Sequence, residues 1–218
     1  MRISLKQKNK TAVRQMNKKI IKAKPFGTVC IIWHVSNNSP RIAHILLSRP
    51  ELSSEKQAEI IFPDSRIFSC AEIDEIGVSI QAYLEGEDVK FSLNIVDLSL
   101  CPKFQQSVLR AQYAIPRGSV STYGLIAAHV GAPDGARAVG NALAGNPFPI
   151  IVPCHRTVLS NLHLGGFQSG AEMKRALLEM EGIVFDEAGR VVPKRFMSYS
   201  GIVKKKVAPL PTSPSAQS

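Results

Sequence analysis

The 218-residue chain has no run of the roughly 18 apolar residues that a membrane-crossing helix requires, so no membrane partner is expected. It has no CxxC pair. Its four cysteines, Cys30, Cys70, Cys101 and Cys154, are widely spaced, which argues against the dense disulfide framework of a secreted domain. Reduced thiols in a cytoplasmic setting, or a nuclear one in a eukaryote, are expected instead. The basic N-terminus lacks the apolar core of a secretory signal; an organelle-targeting segment is the alternative, although such segments favour arginine and serine over the lysines here. Acidic residues are missing from both ends: residues 1–24 carry nine Lys/Arg and no acid, and residues 191–218 carry five and none. The net charge of +10 therefore hides a body of −4, with −6 over residues 25–100 and +3 over 101–182. A polyanion would be held by the second half and the tails and repelled by the first half, although lysine tails can also serve only to solubilise.

What is present divides the chain. Residues 1–24 have little apolar periodicity and read as a basic flexible arm or a frayed helix. "GTVCIIWHV" and "RIAHILLS" are β-rich runs on either side of the turn cluster "SNNSP", a hairpin. Ile73, Ile76, Ile80, Tyr83 and Leu84 recur at helical spacing, and "KFSLNIVDL" reads as a further strand. Residues 25–100 are thus expected to form a small α/β unit with a short antiparallel sheet and no catalytic constellation. From residue 101 the pattern becomes helical. Phe104, Val108, Ala111 and Ile115 share one helical face; "STYGLIAAHVG" has Ser121 or Thr122 as an N-cap and Gly131 as a stop. After "APD" comes "GARAVGNALAGN", a short helix of very small residues with Arg137 among them, and the pair matches a helix-turn-helix. Such small side chains allow close packing against another helix, or close approach to something else. An amphipathic helix over 169–182 ends at Gly182, and a basic disordered tail is expected over 191–218. The overall expectation is an α+β protein, with a mainly helical unit over 101–190.

Within that second unit "NPFPIIVPCHRTV" (146–158) sets a thiol beside an imidazole after a proline-rich apolar stretch. A free cysteine is most often a small buried hydrophobe. Alternatively, Cys154 is a nucleophile and His155 belongs to the apparatus that forms its thiolate.

The blocks "IPRGSVSTYG", "ARAVGNALAGNP", "PIIVPCHRTV", "LGGF" and "RALLEMEG" occur in an order and spacing that resembles the O6-alkylguanine-DNA alkyltransferases, the methylated-DNA–protein-cysteine methyltransferases. The resemblance is strong over roughly residues 101–182 and weak over 25–100. It implies a single-turnover methyltransferase that flips a damaged base out of duplex DNA through the minor groove. The alkyl group of O6-alkylguanine, and of O4-alkylthymine, then passes to Cys154 irreversibly. By resemblance His155 takes the thiol proton through a water, Glu181 orients His155, Asn146 fixes the cysteine loop, and Tyr123 donates its hydroxyl to the leaving guanine. Arg137 would fill the gap left by the flipped base, with Gly135, Ala136, Ala138, Gly140 and Asn141 facing the groove. Val152, Thr157, Gly166, Phe167 and Gln168 would line the base and alkyl pocket.

Each assignment has a plainer alternative: Glu181 as a helix-end ion pair, Tyr123 as a core tyrosine. Arg156 reads as a structural partner of a carboxylate, and His129 and His163 as surface or helix-end residues. Asn141 stands where a second glycine is common in the family, Gln168 where small residues line the pocket, and Phe167 where some members carry a hydroxyl. The implied partner is double-stranded DNA bound by a monomer, with no cofactor. Cys30, His34 and His44 raise the question of zinc, but four suitably spaced ligands are missing, so no metal is expected. Sensors of this fold that bind damage without repairing it lack the acceptor cysteine, which this chain has.

Overall fold

The computed structural model describes residues 15–193, 195–199 and 202–203. Strand β1 (Asn17–Lys22) pairs antiparallel with β2 (Thr28–Ser36), which turns through Asn37 and Asn38 into β3 (Ser39–Leu47). Both asparagines have positive φ, +50° and +59°, the two-residue geometry that matches strand twist. Residues 17–22 are therefore not part of a flexible arm. Ile20 and Ile21 pack on opposite faces of the sheet, and that burial overrides the lysines around them. Residues 1–14 lie outside the described residues.

Helix α1 (Ser54–Ile61) is capped by the Ser53 hydroxyl, which accepts the Lys56 N–H. Its Ala58 covers one sheet face with Cys30, Ile32, Ala43 and Leu46. β4 (Arg66–Ile67) adds a short parallel edge to β1, giving the order β3-β2-β1-β4. Helix α2 (Ala71–Leu84) turns Ile73, Ile80, Tyr83 and Leu84 into the core shared with Val29, Ile31 and Trp33 on the other face. The strand expected over 90–98 does not form. Two 3₁₀ turns, Leu93–Ile95 and Leu98–Leu100, replace it, because the side chains of Ser92 and Asp97 accept the N–H groups of Asn94 and Ser99. Val96 makes one bridge to Ile42 of the sheet, where the Asp97 N–H donates to the Ile42 carbonyl at 2.8 Å.

Helix α3 (Lys103–Tyr113) buries Val108, Leu109 and Ala111, but leaves Phe104 exposed in its first turn. β5 (Ser119–Thr122) leads into α4 (Tyr123–His129), with Thr122 Oγ1 accepting the Leu125 N–H as the N-cap. A short turn then opens α5 (Ala136–Ala144), completing the helix-turn-helix. β6 (Thr157–Val158) lies parallel to β5, and α6 (Ala171–Met180) ends before Gly182 at φ +81°. The expected disorder from residue 191 is corrected for the residues described. β7 (Val184–Phe185) pairs with β8 (Val191–Val192), β9 (Arg195–Met197) runs parallel to β5, and β10 (Ile202–Val203) pairs with β9. Phe196 packs on Val120 and Val158, and the Tyr199 ring stacks on His129 at 4.2 Å between centroids. Residues 204–218 lie outside the described residues. One apolar core runs through both halves, joining Ile31 and Trp33 of the sheet to Leu109, Ile126, Phe148 and Leu177 of the helical part.

Candidate active site

The loop after α5 is closed by one side chain. Asn146 donates from Nδ2 to the Val152 carbonyl at 2.9 Å, and its Oδ1 accepts the Phe148 N–H at 3.0 Å. Pro147 and Pro149 narrow the backbone freedom between these points. Ile150 is held at φ +74°, a left-handed conformation that a β-branched residue rarely adopts. The Ile45 N–H of β3 donates to the Pro147 carbonyl at 2.7 Å, so the sheet also anchors the loop. Cys154 follows at the start of a 3₁₀ turn (Cys154–Arg156).

Cys154 faces a cavity of about 430 Å³ and is 6% exposed. Tyr123, Gly166, Phe167 and Gln168 line it, together with Gly140, Leu143 and Ala144 from α5. Val152 and Thr157 do not line it. Val152 is buried in the core, and the Thr157 hydroxyl donates to Gln112. Gln168 is not loose in the cavity, because its Nε2 donates to the Asn146 carbonyl at 3.0 Å. Gly165 sits at φ +67°, and a Cβ there would meet the Tyr123 hydroxyl at 3.2 Å. The absence of a side chain at 165 leaves room for the phenol.

Behind Cys154 lies a buried polar knot. His155 Nε2 is 3.0 Å from Glu181 Oε1. Glu181 is presented at the C-cap of α6. Arg156 donates from Nε to Glu181 Oε2 at 2.9 Å and from Nη2 to Oε1 at 2.6 Å, while Nη1 bonds the Ile115 carbonyl at 2.6 Å. Arg156 is therefore the structural partner of a carboxylate, as expected. Burial alone would raise Glu181, yet His155 and Arg156 hold it well below the usual carboxylate range. An ionised Glu181 fixes the tautomer: Nε2 carries the proton and Nδ1 is a lone pair. That Nδ1 is buried, and no protein group among the described residues bonds it. Burial lowers His155 below its ordinary value despite Glu181, so the ring is neutral.

Burial also pushes the Cys154 thiol up, against the Asn146 side chain and the positive charge of Lys174. The resting group is a thiol that needs a base. Lys174, fully buried on α6, donates to the carbonyls of Thr157 (2.7 Å), Gly166 (3.2 Å) and Leu164, pinning the loop that forms one cavity wall; burial lowers it to about 8. Sequence reasoning passed over Lys174, Gln112, Leu143, Ala144 and Tyr83. Lys174 left one signal: it shares the apolar stripe of α6 with Met173, Leu177 and Leu178.

The small-residue helix α5 buries Val139, Ala142 and Leu143 and exposes Arg137, Ala138 and Asn141, with Ala136 and Gly140 half-buried. Gly135 is set by the turn, since a Cβ there would lie 2.9 Å from the Ala132 carbonyl oxygen. Gly140 is different: a Cβ would sit 3.8 Å from the Tyr123 ring, an ordinary contact. The protein's own packing does not demand a glycine there. Away from this region, Cys30 is buried under α1, and His34 Nε2 bonds Asp97 Oδ2 at 3.0 Å. Among the described residues, no helix is long and apolar enough to cross a membrane.

Residues 103–183 match the family described as 6-O-methylguanine DNA methyltransferase, DNA binding domain. The methylated-DNA–protein-cysteine methyltransferase of Methanothermobacter thermautotrophicus is 43% identical over 105 residues, which span 48% of this chain and 58% of that protein. Its namesake in Methanosarcina acetivorans is 40% identical over 134 residues, covering 60% of this chain and 81% of the relative. The crystal structure of Mycobacterium tuberculosis O6-methylguanine methyltransferase superimposes with a TM-score of 0.62 at 32% identity, over 77% of this chain and 93% of that one. Mycobacterium tuberculosis OGT has also been solved in complex with DNA, with a TM-score of 0.58 at 31% identity over 77% of this chain and 92% of that one. With the cysteine loop, the polar knot and the helix-turn-helix in the same chain, these likenesses settle the kinship: the chain belongs to the methylated-DNA–protein-cysteine methyltransferase family.

Proposed function

We propose that this protein repairs DNA by direct reversal, moving the alkyl group of O6-alkylguanine, and of O4-alkylthymine, from duplex DNA onto Cys154, once per chain. The observation that carries this reading is the pairing of a cavity-facing Cys154 with a neutral His155 whose buried Nδ1 is bonded by no protein group among the described residues. In the reaction the thiol proton passes through a water to Nδ1. Cys154 Sγ attacks the alkyl carbon, the carbon–oxygen bond breaks, and its electron pair stays on guanine. The Tyr123 hydroxyl then supplies a proton to the departing base, and the proton held by His155 restores the balance. Glu181 stabilises the imidazolium formed on the way, the third-member role of triads in general.

A base inside a duplex cannot reach Cys154, so the target nucleotide is flipped into the cavity. Helix α5 lies in the minor groove, with Ala136, Ala138, Gly140 and Asn141 against the DNA and the exposed Arg137 in the gap. The glycine that packing leaves unexplained at 140 fits a surface that approaches a base closely. Phosphate contacts come from the basic second half, and affinity falls with salt. Incubation with a duplex containing O6-methylguanine, followed by peptide mapping, tests the reading. A methyl group on the Cys154 peptide is expected; binding without modification would identify a damage sensor instead.

A further inference from the structure

Glu181 accepts a bond that the chemistry above does not use. Tyr83, in the last turn of α2, donates its hydroxyl to Glu181 Oε1 at 2.5 Å, and its Oη lies 3.2 Å from His155 Nε2. The side chain is 1% exposed. Its ring meets Phe91 edge-on at 5.9 Å and carries the Arg117 guanidinium over one face at 5.6 Å. Arg117 is itself fixed by the carbonyls of Gly86, Glu87 and Met180, at the ends of α2 and α6. The phenol is therefore placed by both halves of the chain, and it converges on the one carboxylate oxygen that receives the His155 proton.

We propose that Tyr83 is a positioning residue for alkyl transfer: by sharing Glu181 Oε1 with His155, it keeps the imidazole neutral, with Nδ1 free to accept the thiol proton. This rests on the reading of Cys154, His155 and Glu181 as the transfer machinery. The physical argument concerns how strongly Glu181 pulls on the imidazole. A carboxylate oxygen that accepts fewer hydrogen bonds is a stronger acceptor toward those that remain. Without the phenol, Glu181 draws harder on Nε2–H, and His155 becomes easier to protonate at Nδ1. An imidazolium cannot act as the base. The other charged or titratable groups around the ring stay in place when Tyr83 changes: Arg156 and Cys154 from the cysteine turn, Lys174 from α6, and Tyr123 across the cavity.

The test is Tyr83→Phe, which keeps the ring and removes the hydroxyl. Alkylation of Cys154 by a free O6-alkylguanine base, with no DNA present, is followed from acid to alkaline pH in wild type and variant. The acid limb, set by loss of the His155 proton, is expected to move up by about half to one pH unit. The variant then reacts roughly three- to tenfold slower on that limb and approaches wild type at alkaline pH. Site-specific 3-fluorotyrosine at position 83, a stronger donor of nearly the same shape, is expected to move the limb to lower pH, and this holds the proposal to account if Tyr83→Phe fails to fold. A loss by the same factor at every pH, or two superimposable profiles, would overturn the inference. Failure of the wild type itself to alkylate Cys154 would overturn the underlying reading instead.

Discussion

Replacing Asn146 by alanine tests the claim that one side chain closes the cysteine loop. The change leaves the buried Phe148 N–H without an acceptor and takes one of two donors from the Val152 carbonyl, which keeps the Cys154 N–H at 2.8 Å. The orphaned N–H costs about 1–3 kcal/mol and the lost carbonyl bond about 1 kcal/mol more, and the left-handed Ile150 between them relaxes to recover part of it. A net loss of about 2 kcal/mol is expected. For a chain of this length each kcal/mol moves Tm by about 2–4 °C, so the midpoint should fall by about 4–8 °C. The bond from the Ile45 N–H to Pro147 and the bond from Gln168 to the Asn146 carbonyl both survive, because each uses a backbone acceptor. The loop therefore loosens without detaching. Thermal unfolding by circular dichroism gives the first readout and the alkylation rate with free base the second. The rate should fall further than the stability loss requires, since Asn146 also favours the thiolate of Cys154. A variant melting within about 2 °C of wild type would show that the two bonds do not hold the loop.

Cys154→Ala should abolish transfer while leaving lesion binding largely intact, and wild type titrated with excess methylated duplex should plateau at one equivalent, because water cannot displace a thiolate from an unactivated methyl; turnover without added thiol, or residual transfer by the alanine variant, refutes this. Arg137→Ala should impair repair of duplex DNA about tenfold or more while sparing reaction with the free base, since base extrusion costs a few kcal/mol that only the duplex reaction meets. Equal loss on both substrates would mark a structural arginine. Burial holds His44 at about 4 against an ordinary 6.5, so the unfolded chain takes up that proton first. Stability should fall as pH drops from about 6.5 to about 4, by up to about 3 kcal/mol. His44→Gln should remove that part of the acid sensitivity; an unchanged pH dependence of unfolding would show that His44 does not contribute it.

The readable parts of the sequence were those governed by neighbours in the chain. Thr122 caps α4 three residues from its partner, Gly182 follows α6 at positive φ, and the asparagine turn joins β2 to β3. The unreadable parts depend on distant partners. Tyr83 looks like one more residue of an apolar stripe, and only the fold brings Glu181, 98 positions away, to its hydroxyl. Val152 and Thr157 illustrate the converse: the family resemblance implies a pocket wall, but in the fold these side chains turn into the core and toward Gln112. The strand expected over 90–98 failed because apolar content says nothing about where Ser92 and Asp97 send their oxygens. Residues 17–22 looked like an arm because their lysines mask two isoleucines, and two are enough when a waiting sheet buries them.

The apolar core that crosses from sheet to helices means that the reactive loop has no thermal life of its own. Phe148, in that loop, belongs to the same packed cluster as Ile31, Trp33 and Leu177. Melting the hairpin removes the Ile45 anchor, the face beneath Phe148 and the helix that holds Tyr83 in one event. Heat should therefore extinguish the thiol's reactivity and the strand signal at a single temperature. For the same reason, a chain severed near residue 101 yields two fragments with open apolar faces, neither a working half.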